Sequence, residues 1–394
     1  MQQYGRLFYY STLFYNAPVP EYVRAVYKEI DFTQKMIALT GAKGVGKTTI
    51  LHQYMKRLDL GKEELLYVSM DNPVVGDTPL LDIAETFHKR GGKVLLVDEI
   101  HYQSGFEKDL KAIYDFFDLK VVFSGSSAIA LGHADLSRRA VVYTVPVLSF
   151  REYLELVEGI PLPAYSLEEI VDDHVSIAAE VIGKLKPLRH FDAYLEHGAY
   201  PFFLEGVETF PLKLSEAIGK TIESDLLQIY HIDPRNIATL KKLLLLLCEQ
   251  PPGELNMSAL SRETGINTRT LYNYLTALHH GELIEMVYYS RKGNALFQKP
   301  DKILLANPNL FQVLCHSSNT GSLRESFFLA MMQRHHLRYL KKGGDYLVDD
   351  RRVFEIGGKG KDFHQIGEEG FLAVADIEMG EGRKIPLWLF GFLY

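Results

Sequence analysis

Lys35-Met-Ile-Ala-Leu-Thr40 is a short apolar run that feeds Gly41-Ala-Lys-Gly-Val-Gly46-Lys47-Thr48, and Thr49-Ile-Leu-His-Gln-Tyr-Met-Lys-Arg-Leu58 follows as a helix. The middle piece matches G-x-x-x-x-G-K-[ST] in strand, loop, helix order, which predicts an α/β core with a parallel sheet and a phosphate-binding loop at one strand end. Each residue type has a physical reason to be there. Glycines let successive backbone N–H groups turn inward onto phosphate oxygens, and the helix N-terminus adds partial positive charge. Gly41, Ala42, Lys43, Gly44, Val45, Gly46, Lys47, Thr48 and Thr49 are therefore the expected nucleotide-contacting residues. Lys47 is expected to reach the β- and γ-phosphates. Thr48 is expected to place its hydroxyl on Mg²⁺, a hard cation that takes its other oxygens from phosphates, water and one or two carboxylates.

Gly91-Gly-Lys-Val94-Leu-Leu-Val97-Asp98-Glu99 reads as a buried strand ending in two carboxylates. At the carboxyl end of a parallel strand, Asp98 can hold Mg²⁺ through a water while Glu99 polarises the attacking water. Lys120-Val-Val-Phe-Ser124 predicts a further strand, running into Gly125-Ser126-Ser127. Ser126 is the residue expected to sense the γ-phosphate, although a serine after glycine equally suits a helix N-cap. Asp135-Leu-Ser-Arg138-Arg139 follows, where a guanidinium can meet transition-state charge, or where two arginines simply face solvent.

Composition narrows the field. At roughly 100–200 residues per domain, 394 residues make two to four domains, and 47% hydrophobic residues exclude disordered and fibrous classes. Lys plus Arg number 43 against 50 Asp plus Glu, a net charge of −7, so no global positive field advertises nucleic acid or anionic lipid. Any such site is local. Cys248 and Cys315 lack patterned partners, which predicts neither a disulfide framework nor a zinc site and points to a reducing compartment. The N-terminus carries no signal-like pattern and no run reaches about 18 apolar residues, so a cytoplasmic protein without a membrane span is expected.

Taken together, ALTGAKGVGKTTIL, VLLVDEIH, VVFSGSSA, the LSRR segment with VPVLSFREYLE, and HGAYPFFLEG resemble a group of bacterial and archaeal AAA-type ATPases. Its members carry a C-terminal domain of unknown function similar to restriction-type nucleases. The first two segments are shared by very many ATPases, whereas the last two are narrower. The resemblance implies an AAA-type ATP-binding core over residues 1–150, a helical lid over 151–235, a winged helix over 236–310 and a small nuclease-like α/β domain over 311–394. It also implies that Arg139 supplies the transition-state cation, although Arg138 stands where the family has glycine.

The residues independently agree on the winged helix. Asn256 to Thr264 reads as a short helix, Asn267 as an N-cap, and Thr268 to His280 as a second helix with Leu271, Leu275 and Leu278 on one face. Arg269, Asn273 and Thr276 lie opposite. Leu283 to Tyr289 and Lys299 to Leu305 would form two wing strands around Ser290-Arg-Lys-Gly293. That is a layout for duplex DNA, yet residues 233–302 hold nine Lys or Arg against seven Asp or Glu, and the same layout serves protein docking or a lid. In the last domain, Glu325, Asp345, Glu355 and Lys359 are the candidates for a nuclease site, with Gly at position 357 where the resemblance wants lysine; Lys361 is a second candidate for that charge. The displaced lysine favours a domain that kept the fold without cleavage. The expected function is thus an ATP-hydrolysing switch with Mg²⁺. A DNA-associated nuclease relative and a nucleotide-gated protein-docking or self-associating module stand beside it.

Overall fold

Five consecutive buried positions make β1 (Met36–Thr40) a strand covered on both faces, as parallel strands require. The computed structural model describes residues 2–126, 138–249, 256–289, 300–315, 319–367 and 369–394. After α1 (Gln2–Asn16) and β1 come α2 (Lys47–Arg57), β2 (Leu65–Ser69), α3 (Leu80–Lys89), β3 (Val94–Asp98), α4 (Phe106–Phe116), β4 (Lys120–Ser124) and β5 (Val141–Thr144). The strands form one five-stranded sheet in the order β2-β3-β4-β1-β5, every pair parallel.

Alternate strand positions supply one apolar layer: Met36, Ala38, Leu66, Val68, Leu95, Val97, Val121 and Phe123 cluster with Ile83 and Phe87 of α3 and Leu110 and Ile113 of α4. On the register Ser69↔Asp98 and Leu39↔Ser124, the carboxyl ends of β1, β3 and β4 share one edge. That edge is where the phosphate loop and the acidic pair emerge.

The chain divides into two compact units, Met1–Pro146 with Lys220–Pro234, and Val147–Gly219 with Arg235–Tyr394. Segment 220–234, read from the sequence as the end of a helical region, therefore counts with the sheet. The second unit begins with α5 (Phe150–Glu158), α6 (Leu167–Lys184), α7 (Pro187–Ala193) and α8 (Phe210–Lys220). Two of these start with reciprocal capping boxes, Ser149 with Glu152 and Ser166 with Glu169, each satisfying two otherwise orphaned backbone donors. The turn of the HGAYP segment is pinned by fully buried Asn309, whose side chain accepts from Ala199 N (2.7 Å) and donates to Tyr194 O and Leu195 O (2.8 Å each).

Beyond α9 (Leu226–Tyr230), which belongs to the sheet unit, come α10 (Ile237–Glu249), α11 (Met257–Thr264) and α12 (Thr268–His280). Asn256 caps α11 by accepting from Ala259 N, and Asn267 caps α12 by accepting from Thr270 N. An antiparallel pair, β6 (Ile284–Val287) and β7 (Lys302–Leu305), follows with Ile284 opposite Leu305. Ser290 to Gly293 and Lys299 lie outside the described residues.

Then α13 (Asn309–Leu314) and α14 (Thr320–Met331) lead to β8 (Leu337–Tyr339), β9 (Tyr346–Val348), β10 (Arg352–Gly357), β11 (Phe371–Val374) and β12 (Lys384–Pro386). These five strands order as β12-β11-β10-β9-β8, parallel from β10 to β12 and antiparallel from β8 to β10. Trp388 is buried on a 3₁₀ turn (Leu387–Phe392). One detail differs from the sequence reading. Cys248 and Cys315 are joined as a disulfide with Cα atoms 5.7 Å apart, because α10 packs on α13 and brings them within reach. No helix among the described residues is long and apolar enough to cross a membrane.

Candidate functional site

The loop from Gly41 to Gly46 leaves β1 at the sheet edge and ends as the N-terminus of α2. Gly41 has φ +146°, and a Cβ there would lie 2.4 Å from the Val145 carbonyl oxygen, so only glycine fits the crossing. Gly44 and Gly46 also adopt positive φ, 90° and 100°. Buried Arg24 braces the loop from outside, donating through Nη1 to Val45 O (2.9 Å) and Pro146 O (2.6 Å). Lys47 folds back over the loop, its buried ammonium donating to Gly41 O (2.8 Å) and Ala42 O (2.9 Å). Both are neutral carbonyls, weaker acceptors than a phosphate oxygen.

Asp98 gathers the donors around it. Thr48 Oγ1 donates to Asp98 Oδ2 at 2.6 Å, Tyr67 Oη donates to the same oxygen at 3.0 Å, and Ser124 Oγ donates to Oδ1. Burial first, then the Asp98 carboxylate, pushes the Tyr67 hydroxyl far above the usual tyrosine range, so it stays a donor. Thr48 and Asp98 thus already meet where a small hard cation beside phosphates takes one hydroxyl and one carboxylate. The residues present fit a nucleotide on the loop and Mg²⁺ on Thr48 and Asp98.

Glu99 sits just past β3 in a left-handed conformation, φ 48°, which a non-glycine residue adopts only when its surroundings hold it there. Its N–H donates to Asp98 Oδ1 and Ser124 Oγ, both at 3.2 Å. Its carboxylate lies 3.9 Å from Lys43 Nζ and 3.5 Å from His101 Nδ1. Lys43 is held above the ordinary lysine value: burial pulls it down, but Glu99 and Asp225 outweigh that.

Within the sheet unit, the structure brings Lys43, Lys47, Thr48, Asp98 and Glu99 together and leaves two expected residues out. Ser126 is buried two positions past β4, and the hydroxyl that reaches Asp98 is that of Ser124. Register explains the Ser124 contact, since Leu39 opposite Ser124 ends β4 level with the start of the loop. Arg139 is at the opposite edge. With Val141 beside Ile37, Arg139 stands level with Lys35, roughly six residues or about 20 Å below Gly41 along the strands. There it pairs with Asp115 through two 3.0 Å hydrogen bonds. In this structure Arg139 lies away from its own chain's loop. Ser127 and Asp135 to Ser137 lie outside the described residues. The sequence reading missed Tyr67, Ser124, His101 and Asp225. Strand register was a usable signal for the first two, and nothing local marks Asp225.

Residues 33–154 match the family model of the AAA domain. A second model, described as a domain of unknown function (DUF8612), matches residues 188–320, upstream of most of the span where the resemblance places one. An uncharacterised protein of Methanocaldococcus jannaschii is 28% identical over 375 residues, 89% of this chain and 76% of its own length. One from Haemophilus influenzae is 22% identical over 305 residues, covering 72% of this chain and 69% of its own. Among solved structures, RuvB of Thermotoga maritima aligns with TM-score 0.31 and 16% identity over 64% of this chain and 82% of that one. DnaA of Aquifex aeolicus with bound AMPPCP aligns with TM-score 0.26 and 13% identity over 64% of this chain and 84% of its own.

In the second unit, the nuclease-site candidates are matched with lysines. Glu325 accepts from Tyr346 Oη (2.5 Å) and from buried Lys302. Glu355 pairs at 2.5 Å with Lys361 rather than Lys359, which is exposed. A Cβ at Gly357 would meet the Lys361 side chain at 2.8–3.0 Å, so the glycine is what lets this later lysine lie across the strand. Among the described residues, no three His, Cys, Asp or Glu are grouped to hold a metal.

Asp345 accepts from Ile356 N at 2.8 Å. Burial, then the Glu325 carboxylate, pushes its pKa up to about 6 from 3.8. A carboxyl raised on folding makes the native state bind more protons, so stability falls as pH rises from about 4 to about 6 and stays lowered above that. Asp345→Asn keeps an acceptor without the charge. It is expected to gain roughly 2–3 kcal/mol at pH 8, with the gain fading toward pH 4. Urea unfolding at pH 8 and pH 4.5 checks this, and an equal gain at both pH values would show that charge is not the cause.

Proposed function

We propose that the chain is an ATP-hydrolysing switch that uses Mg²⁺. The observation that carries the reading is the Thr48 to Asp98 contact of 2.6 Å, with Lys47 and Glu99 on either side of it. Loop amides and Lys47 bind the phosphates, Thr48 and Asp98 hold Mg²⁺, and Glu99 takes a proton from the attacking water. The ion would supply charge neutralisation on the phosphates. Asp98 is held by three side-chain hydroxyls, which fixes its direction before substrate arrives.

Arg139, tied to Asp115 at the far edge, suits a role on a neighbouring copy's nucleotide. The region α10 to β7 is read as a winged helix and the preceding helices as a lid, so that turnover shifts the second unit. Capped α11 and α12 followed by the β6–β7 pair support that reading, as does Arg269 on an exposed turn of α12. The lysine-matched acids favour an ATPase over a nuclease.

ATP turnover by the whole chain, with and without duplex DNA, tests the proposal. Mg²⁺-dependent turnover that rises with DNA and falls as salt is added makes α12 a DNA contact. Turnover indifferent to DNA keeps the switch and points to a protein partner. Absence of turnover in either condition ends the hydrolysis reading.

A further inference from the structure

Segment Lys220–Pro234 is flanked in sequence by helices of the second unit, yet it packs with the unit that holds the five-stranded parallel sheet. It carries Asp225 at the end of a short π-helical turn (Thr221–Asp225), and that residue is 3% exposed. Asp225 Oδ1 stands 3.2 Å from His101 Nε2 and 3.8 Å from Lys43 Nζ. His101 in turn faces Glu99, and Lys43 faces Glu99 as well, so Lys43, Glu99, His101 and Asp225 close a ring of alternating basic and acidic groups.

The ring is close without being bonded. Both nitrogens of His101 and Oδ1 of Asp225 are buried with no hydrogen-bond partner, an arrangement that small rotations would relieve. Lys43 is also part of the phosphate loop, so incoming phosphate oxygens compete with Asp225 and Glu99 for its ammonium. Once Lys43 turns to phosphate, nothing else in the ring holds Asp225 away from the imidazole. With Nε2 turned to Asp225, His101 presents Nδ1 to Glu99.

We propose that Asp225 is a positioning residue of the ATP site: it orients His101, His101 orients Glu99, and Lys43 is the competitor that nucleotide removes. This rests on the ATPase reading above. It also gives segment 220–234 a direct stake in nucleotide state, because the residue that moves is anchored there. Tyr102 Oη accepts from Ser224 Oγ at 3.1 Å, which ties the residue before Asp225 to the residue after His101.

The test uses the full chain. Asp225→Asn and His101→Gln are each expected to lower kcat about 10- to 100-fold, the range for partners that orient a reacting group, while the Kd for Mg-ATP changes less than about threefold. Asp225→Glu restores part of the rate. The double variant is no slower than the slower single one, since both act through the same carboxylate. Hydrogen exchange of β1 and β3 amides confirms that each variant is folded, and either single variant suffices if the other is not. Wild-type kcat in both variants, additive losses, or a loss of Mg-ATP affinity that matches the loss of rate overturns the proposal and leaves the ATPase standing. A wild-type chain that binds Mg-ATP without turnover overturns the ATPase reading, and the role of Asp225 with it.

Discussion

Glu99→Gln is expected to bind ATP within about threefold of the wild type and to hydrolyse it at least about 100-fold more slowly, while Lys47→Ala loses nucleotide binding altogether. The two substitutions separate because the side chains do different work. The Lys47 ammonium lies inside the loop against Gly41 O and Ala42 O, so it is positioned for phosphate before anything else happens. Removing it takes away a buried cation that lies inside the loop. Glu99 is 18% exposed at its side chain, and its carboxylate faces Lys43 and His101. Glutamine keeps its shape and loses its basicity. Nucleotide fluorescence for binding and phosphate release for turnover read the two effects apart. Equal hydrolysis by wild type, Lys47→Ala and Glu99→Gln would remove this loop from the mechanism.

Much of that site was legible because its parts are local. Strand, glycine loop and helix follow one another in a few dozen residues, and the second acidic motif carries its own strand, so β1, α2 and β3 could be read without knowing what they pack against. Ser124 was a harder case. A strand of five residues ending in serine says nothing of its neighbour until parallel pairing sets Ser124 beside the Asp98 strand end. Arg139 shows the converse, since its distance from the loop follows from register and direction alone once β5 is known to pair with β1.

Asp225 lay beyond sequence reasoning for a different reason. Its contacts are with residues far upstream, and the segment that carries it reads as one more stretch of amphipathic helix. The cysteine pair is similar: their meeting depends on α10 packing against α13, which no spacing rule encodes. The displaced lysine near Glu355 was half legible. Glycine at 357 was visible, but that its missing Cβ admits Lys361 rather than Lys359 is a matter of strand geometry.

Lys302→Met is expected to destabilise the second unit by about 3–5 kcal/mol, the usual cost of stripping the partner from a buried charge. Lys302 and Glu325 are only 4% and 7% exposed, and the other hydrogen bond given to Glu325 Oε2, from Tyr346, is from a neutral hydroxyl that cannot balance its charge. Removing both charges, Lys302→Met with Glu325→Gln, is expected to recover most of the loss, because the penalty lies in the orphaned carboxylate rather than in the attraction itself. Urea midpoints for the single and double variants measure this, and a single variant within about 1 kcal/mol of wild type would show that Glu325 finds its balance elsewhere. The pair has a structural consequence as well. Lys302 opens β7, which pairs with β6, while Glu325 belongs to α14, which packs on the C-terminal sheet. A lysine fixed in the fold thus balances the charge of this carboxylate from within the chain. The second unit is accordingly expected to melt at the same urea concentration with Mg²⁺ as with chelator, while Lys302→Met lowers that midpoint in both.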